Sequence, residues 1–297
     1  PEAAIAAAPA TAKACKKCWP KCYWMHCWSE KRSRESWRAY NYPHVTAVYW
    51  SLYRLGRYHA PPLTRRRSWR WYLRRAHGTA MAMWTFGGEI RGHEEQRTGA
   101  PWARVGEGVG TAQWGVMVGS VFELLLRDLR REGWAVAADA LQLTVERRMA
   151  VWLRMPFPYG SEFAWDSTGQ EEIHTWLLRF NHTAKARQTV DAVAAYVPLT
   201  AAHWGYCGSA KRWWDFSING DARLARLGNE RVLHHYAAAL NAVPLLDAAL
   251  QHGSDAWLWR LAGCAGGGTL TNIRADGSAS MGFHADPSLL QRDRFSA

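Results

Sequence analysis

Apolar residues recur every three or four positions along most of the chain, and polar residues fill the positions between them. This period predicts amphipathic helices, and no segment shows the strict alternation that is typical of a half-buried strand. In the segment that follows Thr111, the apolar residues on one predicted helix face are Val118, Val121, Phe122, Leu125 and Leu129. Gly133 ends this predicted helix.

A second helix is predicted after Gly133 and ends at Pro156 and Pro158. Its apolar face consists of Leu141, Val145, Met149 and Leu153. Along the whole chain, predicted helices come in pairs that are joined alternately by short turns and by long, aromatic-rich loops. This layout predicts an all-α fold, an α/α-hairpin array, bundle or toroid. A repeat solenoid is the competing layout, but the sequence shows no fixed period of that kind.

Changes in composition divide the chain into parts. Residues 1–28 form a segment rich in Cys and Trp, and residues 29–297 are predicted to form the α/α-hairpin domain. Within that domain, residues 87–110 are glycine-rich and polar, which predicts an exposed loop insertion. The chain begins with Pro rather than Met, so we expect it to be part of a longer protein.

Tryptophan is unusually abundant, with 19 residues in 297. An indole ring has an N–H that needs a partner when it is buried, so we expect some rings in the core and many along a groove. The C–H faces of sugars stack on such rings while neighbouring groups bind the hydroxyls. This composition favours carbohydrate as the partner.

The net charge is +12 at pH 7, and the basic residues are concentrated before residue 155. In a helix predicted over about 66–86, Arg66, Arg70 and Arg74 recur every four residues, while Trp69, Leu73, Ala76 and Ala80 lie on the other side. We interpret this as a solvated basic face, with nucleic-acid binding as the lesser alternative. No run of about 18 apolar residues is present. We therefore predict neither a nucleic-acid partner nor a membrane partner.

Four of the six cysteines lie close together: Cys15, Cys18, Cys22 and Cys27. Zinc, disulfides and free thiols all remain open for this cluster, because the second pair that a zinc knuckle needs is missing. We predict no metal site and no cofactor. A disulfide framework and the glycosylation triplet at Asn181 both favour a secreted protein, although Asn181 or Thr183 is equally suited to cap a helix.

The stretch PFPYGSEFAWDSTGQEEIHTW, residues 156–176, combines carboxylates with aromatic rings. Cleavage of a glycosidic bond needs two carboxyl groups, one that protonates the leaving oxygen and one that activates water or attacks the sugar. We predict that Glu162 and Asp166 form this catalytic pair. Glu171 is instead assigned to a capping box with Thr168, and Glu172 to the positive end of the same helix.

Two further loops have the same composition, at residues 201–227 and in the glycine-rich segment after Cys264. If the hairpins close into a ring, the loops at one end meet over one cavity. The residues predicted to bind substrate there, by stacking or by hydrogen bonds, are Tyr159, Trp165, His203, Trp204, Tyr206, Trp213, Asp215 and Asn272.

Four strings, WMHCWSEKRSRESWRAYNYPHV, PYGSEFAWDSTGQEE, HWGYCGSAKRWWDF and LHHYAAALNAVPLL, resemble a domain-of-unknown-function family of fungi and bacteria. Members of that family look like six-hairpin glycosidases. The resemblance covers roughly 23–86 and 110–286, and it implies an α/α toroid, incomplete in this chain, that is secreted and acts on carbohydrate.

The most specific function that these observations support is a glycoside hydrolase acting on a polysaccharide or oligosaccharide. One alternative on the same fold is a polysaccharide lyase, with a His or Tyr base and with Arg212 and Arg274 neutralising a uronate. A second alternative is a non-catalytic carbohydrate-binding toroid, in which the carboxylates only bind hydroxyls.

Overall fold

The computed structural model describes residues 36, 38–87, 110–156, 167–196, 232–233, 235–270, 273, 275–277 and 283–284. Within these ranges the chain forms eight α-helices: α1 (Asn41–Tyr58), α2 (Trp69–Phe86), α3 (Val121–Arg131), α4 (Ala135–Arg154), α5 (Gln170–Arg179), α6 (Thr183–Tyr196), α7 (His235–Gln251) and α8 (Ala256–Leu270). A short 3₁₀ helix, Gly110–Gln113, precedes α3. The all-α prediction is confirmed.

Consecutive helices pack as hairpins: α1 with α2, α3 with α4, α5 with α6, and α7 with α8. The connections inside the hairpins are short, since only residues 132–134 join α3 to α4 and only 180–182 join α5 to α6. Neighbouring hairpins also touch, because α1 packs on α3, α2 on α4, α4 on α5, and α5 and α6 on α7. The described helices of Trp37–Ala297 therefore form a succession of adjoining hairpins.

Two groups of buried side chains hold these helices together. The larger group joins α1 to α5 and includes Tyr53, Leu73, Leu125 and Trp152, all of which are fully buried. The smaller group lies between α6, α7 and α8. Burying each large apolar side chain contributes about 1.5–3 kcal/mol, so the hairpin contacts are strongly favourable.

The periodicity predicted most of these faces correctly. All the residues predicted for the apolar face of α3 are buried except Val118, which precedes the helix with a φ of +62°. Gly133 adopts a φ of +76° and ends α3 as predicted. On α4 the prediction for Leu153 is wrong, because this side chain is 36% exposed and its neighbour Trp152 is fully buried.

Helix α2 begins at Trp69, three residues later than predicted, because the side chain of Ser68 caps it by accepting the N–H of Trp71. The predicted basic face of this helix is exposed. Helix α7 begins at His235.

A two-residue strand, Val232–Leu233, precedes α7 and pairs antiparallel with Phe283–His284. No helix in the described ranges is long and apolar enough to cross a membrane. The predicted domain limit at residue 28 and residues 88–109 of the predicted insertion lie outside the described residues, so both stay predictions.

Candidate functional site

The ten residues predicted to form the catalytic and binding site all lie outside the described residues: Tyr159, Glu162, Trp165, Asp166, His203, Trp204, Tyr206, Trp213, Asp215 and Asn272. The four clustered cysteines lie outside them as well. The structure does describe the residues that follow the acidic stretch, from Ser167 into α5.

Ser167 is the first described residue after the acidic stretch, and it is buried against a different hairpin. Its hydroxyl donates to the Asn241 side-chain oxygen at 3.0 Å, and both residues are 1% exposed. Asn241 belongs to the second turn of α7. The segment that begins α5 is therefore joined to the beginning of α7.

A buried ion pair lies at the start of α5. Arg148 of α4 and Glu172 are 1% and 0% exposed, and the guanidinium makes a two-point contact with the carboxylate. One of these bonds, from Nη2 to Oε2, measures 2.8 Å. Glu172 Oε2 also accepts the backbone N–H of Val116 at 2.8 Å. A charge this far from water is tolerated only when such partners surround it.

The remaining donors of Arg148 bind the backbone that precedes α3. Nε donates to the carbonyl oxygen of Ala112 at 2.8 Å, and Nη2 donates to that of Trp114 at 2.6 Å. The guanidinium is also 5.1 Å from the ring centroid of Trp152, whose indole N–H donates to Gln113. These contacts fix residues 112–116 against α4 and α5.

Glu171, the neighbour of Glu172, closes the N-terminus of α3. Its carboxylate accepts the backbone N–H of Ser120, the N-cap residue, at 3.2 Å. Burial, together with the nearby charge of Glu172, raises the pKa of Glu171 to about 8, although hydrogen bonds from Ser120 and Gly119 oppose the rise. At neutral pH this carboxyl group is therefore mostly protonated.

The backbone around this cluster is packed too tightly for side chains. A Cβ added at Gly119 would lie 2.6 Å from Cγ of Glu172, and one at Gly115 would lie 2.7 Å from Cγ1 of Ile173. Glycine at both positions lets the segment before α3 approach α5 closely. We call Arg148, Glu171 and Glu172 the buried ionic cluster.

A histidine joins α5 to the helices on its other side. His174 is 2% exposed, with Nδ1 at 3.1 Å from the Thr189 hydroxyl and Nε2 at 3.6 Å from the Asp247 carboxylate. Because the Thr189 hydroxyl donates to the carbonyl of Ala186, it accepts from Nδ1. Helix α5 is thus held by polar contacts to α4, to α6 and to α7.

Only part of this arrangement was predicted. The capping-box prediction is wrong, because α5 begins at Gln170, which makes Gly169 the N-cap and puts Glu171 at the second helical position. Arg148 was missed, although its position was detectable, since a lone arginine falls on the apolar face of α4 between Val145 and Trp152.

The buried ionic cluster positions backbone and does not reach a substrate, because its side chains are at most 1% exposed. Within the described ranges, no three His, Cys, Asp or Glu side chains are close enough together to hold a metal ion. The chemistry of this region is therefore that of a rigid support for the segments that enter α3 and α5.

A family model described as a family of unknown function, DUF5695, matches residues 13–297. The predicted resemblance to a family of unknown function is confirmed by this match. No curated protein and no solved structure matches the chain.

Proposed function

We propose that this chain, which belongs to the family of unknown function DUF5695, is a carbohydrate-active enzyme and specifically a glycoside hydrolase. The observation that carries the proposal is the hydrogen bond between Ser167 and Asn241. It joins the residue that directly follows Asp166 to α7, the helix that follows the second aromatic-rich segment.

The hairpin succession supports a toroid of the six-hairpin glycosidase type. Residues 157–166 connect α4 to α5, and residues 197–231 connect α6 to α7, so both segments link one hairpin to the next. In an up-and-down array of hairpins, such links leave from the same end of the helices. Helix α5 contacts α7, and the hydroxyl of Ser167, just before α5, donates to Asn241 in the second turn of α7.

The proposed chemistry uses two carboxyl groups. Glu162 and Asp166 act as acid and base across the scissile bond, one protonating the leaving oxygen and the other activating water or attacking the sugar. The sugar rings stack on Tyr159, Trp165 and aromatic residues of the second segment, Trp204, Tyr206 and Trp213. His203, Asp215 and Asn272 bind hydroxyl groups.

The buried ionic cluster supports this proposal by its place in the chain. Glu171 and Glu172 follow Asp166 by five and six residues, and their contacts with Ser120 and Arg148 hold the beginning of α5 in place. Catalytic groups work only when rigid elements hold them close to the productive geometry. A fixed helix start next to the acidic stretch meets that requirement.

The test is the amide substitution of each carboxylate, Glu162→Gln and Asp166→Asn, assayed on a panel of polysaccharides by release of reducing ends. We expect each change to reduce kcat by about 10²–10⁴-fold, as removal of an acid or base does. Asp139→Asn, which alters an exposed carboxylate on α4, is the matched control and should retain full activity.

Two results would contradict the assignment as a hydrolase. Products that absorb ultraviolet light as unsaturated uronates would identify a lyase. Polysaccharide binding that survives both substitutions, with no product from the unaltered protein, would identify a binding module. Addition of a chelator should leave hydrolysis unchanged, since the proposed chemistry uses no metal.

We also propose that the protein is secreted. Asn181 of the triplet Asn181–Thr183 is exposed in the turn between α5 and α6, which makes it accessible to a glycosyl group. Recovery of the natural protein from the culture medium with a sugar on Asn181 would agree with this, and retention of the protein inside cells would contradict it.

A further inference from the structure

The first hairpin, α1 with α2, has a high density of positive charge on side chains that are not part of its buried core. Residues 38–87 contain nine arginines and no lysine, aspartate or glutamate. The chain as a whole has a net charge of +12, so this one hairpin accounts for most of the excess. A local field of this strength attracts anions.

Three exposed arginines belong to α2, and Arg67 lies two residues before its first residue. Arg67, Arg70, Arg74 and Arg75 are exposed, whereas Leu73, Ala76 and Ala80 on the opposite side are buried. None of these four arginines forms an ion pair with any residue that the structure describes. Arg57 of α1 differs, because it is paired with Glu132 at 3.0 Å. We call Arg67, Arg70, Arg74 and Arg75 the arginine face.

Three guanidinium groups of the arginine face lie over indole rings. Arg70 is 4.5 Å from the ring centroid of Trp69, and Arg75 and Arg67 are 5.0 Å and 5.5 Å from that of Trp71. Stacking of this kind uses the flat face of the guanidinium and leaves its N–H edge available. The edge then matches the two oxygens of a carboxylate or sulfate group.

We propose that the arginine face binds an acidic polysaccharide, whose repeated carboxylate or sulfate groups bind the stacked guanidiniums. In α2, Arg70 and Arg74 are four residues apart, which spaces these two charges by about 6 Å along the helix axis, and Arg67 and Arg75 extend the charge on either side. A polymer with a regularly repeated anion can contact several of them at once, and each contact raises the effective concentration of the next.

The same observations disfavour single-stranded nucleic acid as the occupant. Proteins that bind single strands offer free aromatic rings on which bases stack, but the rings of Trp69 and Trp71 are already covered by guanidiniums. Arginine is also the commonest reader of guanine in duplex DNA, so duplex DNA is the competitor in the test below. The choice of a polysaccharide among polyanions rests on the proposed function.

The test measures affinity and needs no turnover. Fluorescent polygalacturonate, dextran sulfate and neutral dextran are titrated against the full chain, with duplex DNA as competitor. The variant is the triple substitution Arg70→Gln, Arg74→Gln and Arg75→Gln. The matched control removes the same charge from exposed arginines elsewhere, with Arg147→Gln, Arg154→Gln and Arg260→Gln.

We expect the two acidic polymers to bind and neutral dextran not to bind. The arginine-face triple should weaken binding by about tenfold or more, and the control triple should weaken it by less than about threefold. Replacing the same three arginines by lysine keeps the charge but removes the planar fork, so it should also weaken binding. A thermal melt of each variant verifies that the fold is retained.

Equal losses in the two glutamine triples would overturn the proposal, since the binding would then follow net charge alone. If the variant with three lysines kept full affinity, the stacked guanidinium groups would have no role beyond their charge. Duplex DNA that displaces polygalacturonate at equal charge concentration would assign the surface to nucleic acid. Reducing-end release from neutral polysaccharides is measured on the same preparations, so failure of the hydrolase is seen separately.

Discussion

Glu171→Gln should change how the stability of the protein depends on pH. Glu171 is 1% exposed, and its pKa of about 8 in the folded protein lies well above the ordinary value of 4.5. Between these two values the folded state holds a proton that the unfolded state has released. The stabilising contribution of Glu171 is therefore complete below about pH 4.5 and is lost as the pH rises through about 8.

The size of the effect follows from the same two values. One pKa unit corresponds to 1.36 kcal/mol, so the span from 4.5 to about 8 corresponds to about 5 kcal/mol in the free energy of unfolding. This is a large part of the 5–15 kcal/mol by which domains are typically stable. Glutamine has nearly the same shape and no proton to release, so the variant lacks this decline.

The assay is urea unfolding of both proteins at a series of pH values from about 5 to about 9. Relative to the unaltered protein, Glu171→Gln should gain stability from about pH 5 to about pH 8, by several kcal/mol in all, and the difference should level off above that. Asp139→Asn is the control, because Asp139 is exposed on α4, and its profile should run parallel to that of the unaltered protein. The reasoning is refuted if the Glu171→Gln profile is also parallel.

Two further substitutions probe the same region. Gly119→Ala should destabilise the protein by about 1–3 kcal/mol in urea unfolding, because its Cβ would meet Glu172. Gly78→Ala, on open helix surface, is the control and should stabilise the protein by about 1 kcal/mol. Equal effects of the two changes would contradict the tight packing at Gly119. Arg148→Met should cost about 3–5 kcal/mol, because it leaves the buried carboxylate of Glu172 without its cation. The double variant Arg148→Met with Glu172→Met should lose less than the sum of the two single changes, and simple additivity would show that the two side chains do not interact.

The helices could be predicted from the sequence because the spacing of hydrophobic residues is a local property. The face of α3 and its end at Gly133 follow from a few neighbouring residues, and both were predicted correctly. The pairing of Val232 and Leu233 with residues 283–284 was not predicted, because such a distant partner leaves no trace in a local pattern.

The interior contacts were harder to predict for the same reason. Glu171 was assigned to a local cap, but its partner Ser120 lies 51 residues earlier. Arg148 was overlooked because an isolated arginine in a helix is ordinarily solvated, and only the carbonyls and carboxylate around it explain its burial. The carboxylate pair Glu162 and Asp166 stays a prediction.

Arg148 has a consequence for how members of the family diverge. A single guanidinium donates to two backbone carbonyls and one carboxylate. Losing it leaves both carbonyls without this donor and the carboxylate without its cation, and losing the glutamate alone leaves the buried cation without its anion. Substitution at either position should therefore be inherited together with substitution at the other. An alignment in which the two positions vary independently would mean that other groups satisfy these atoms.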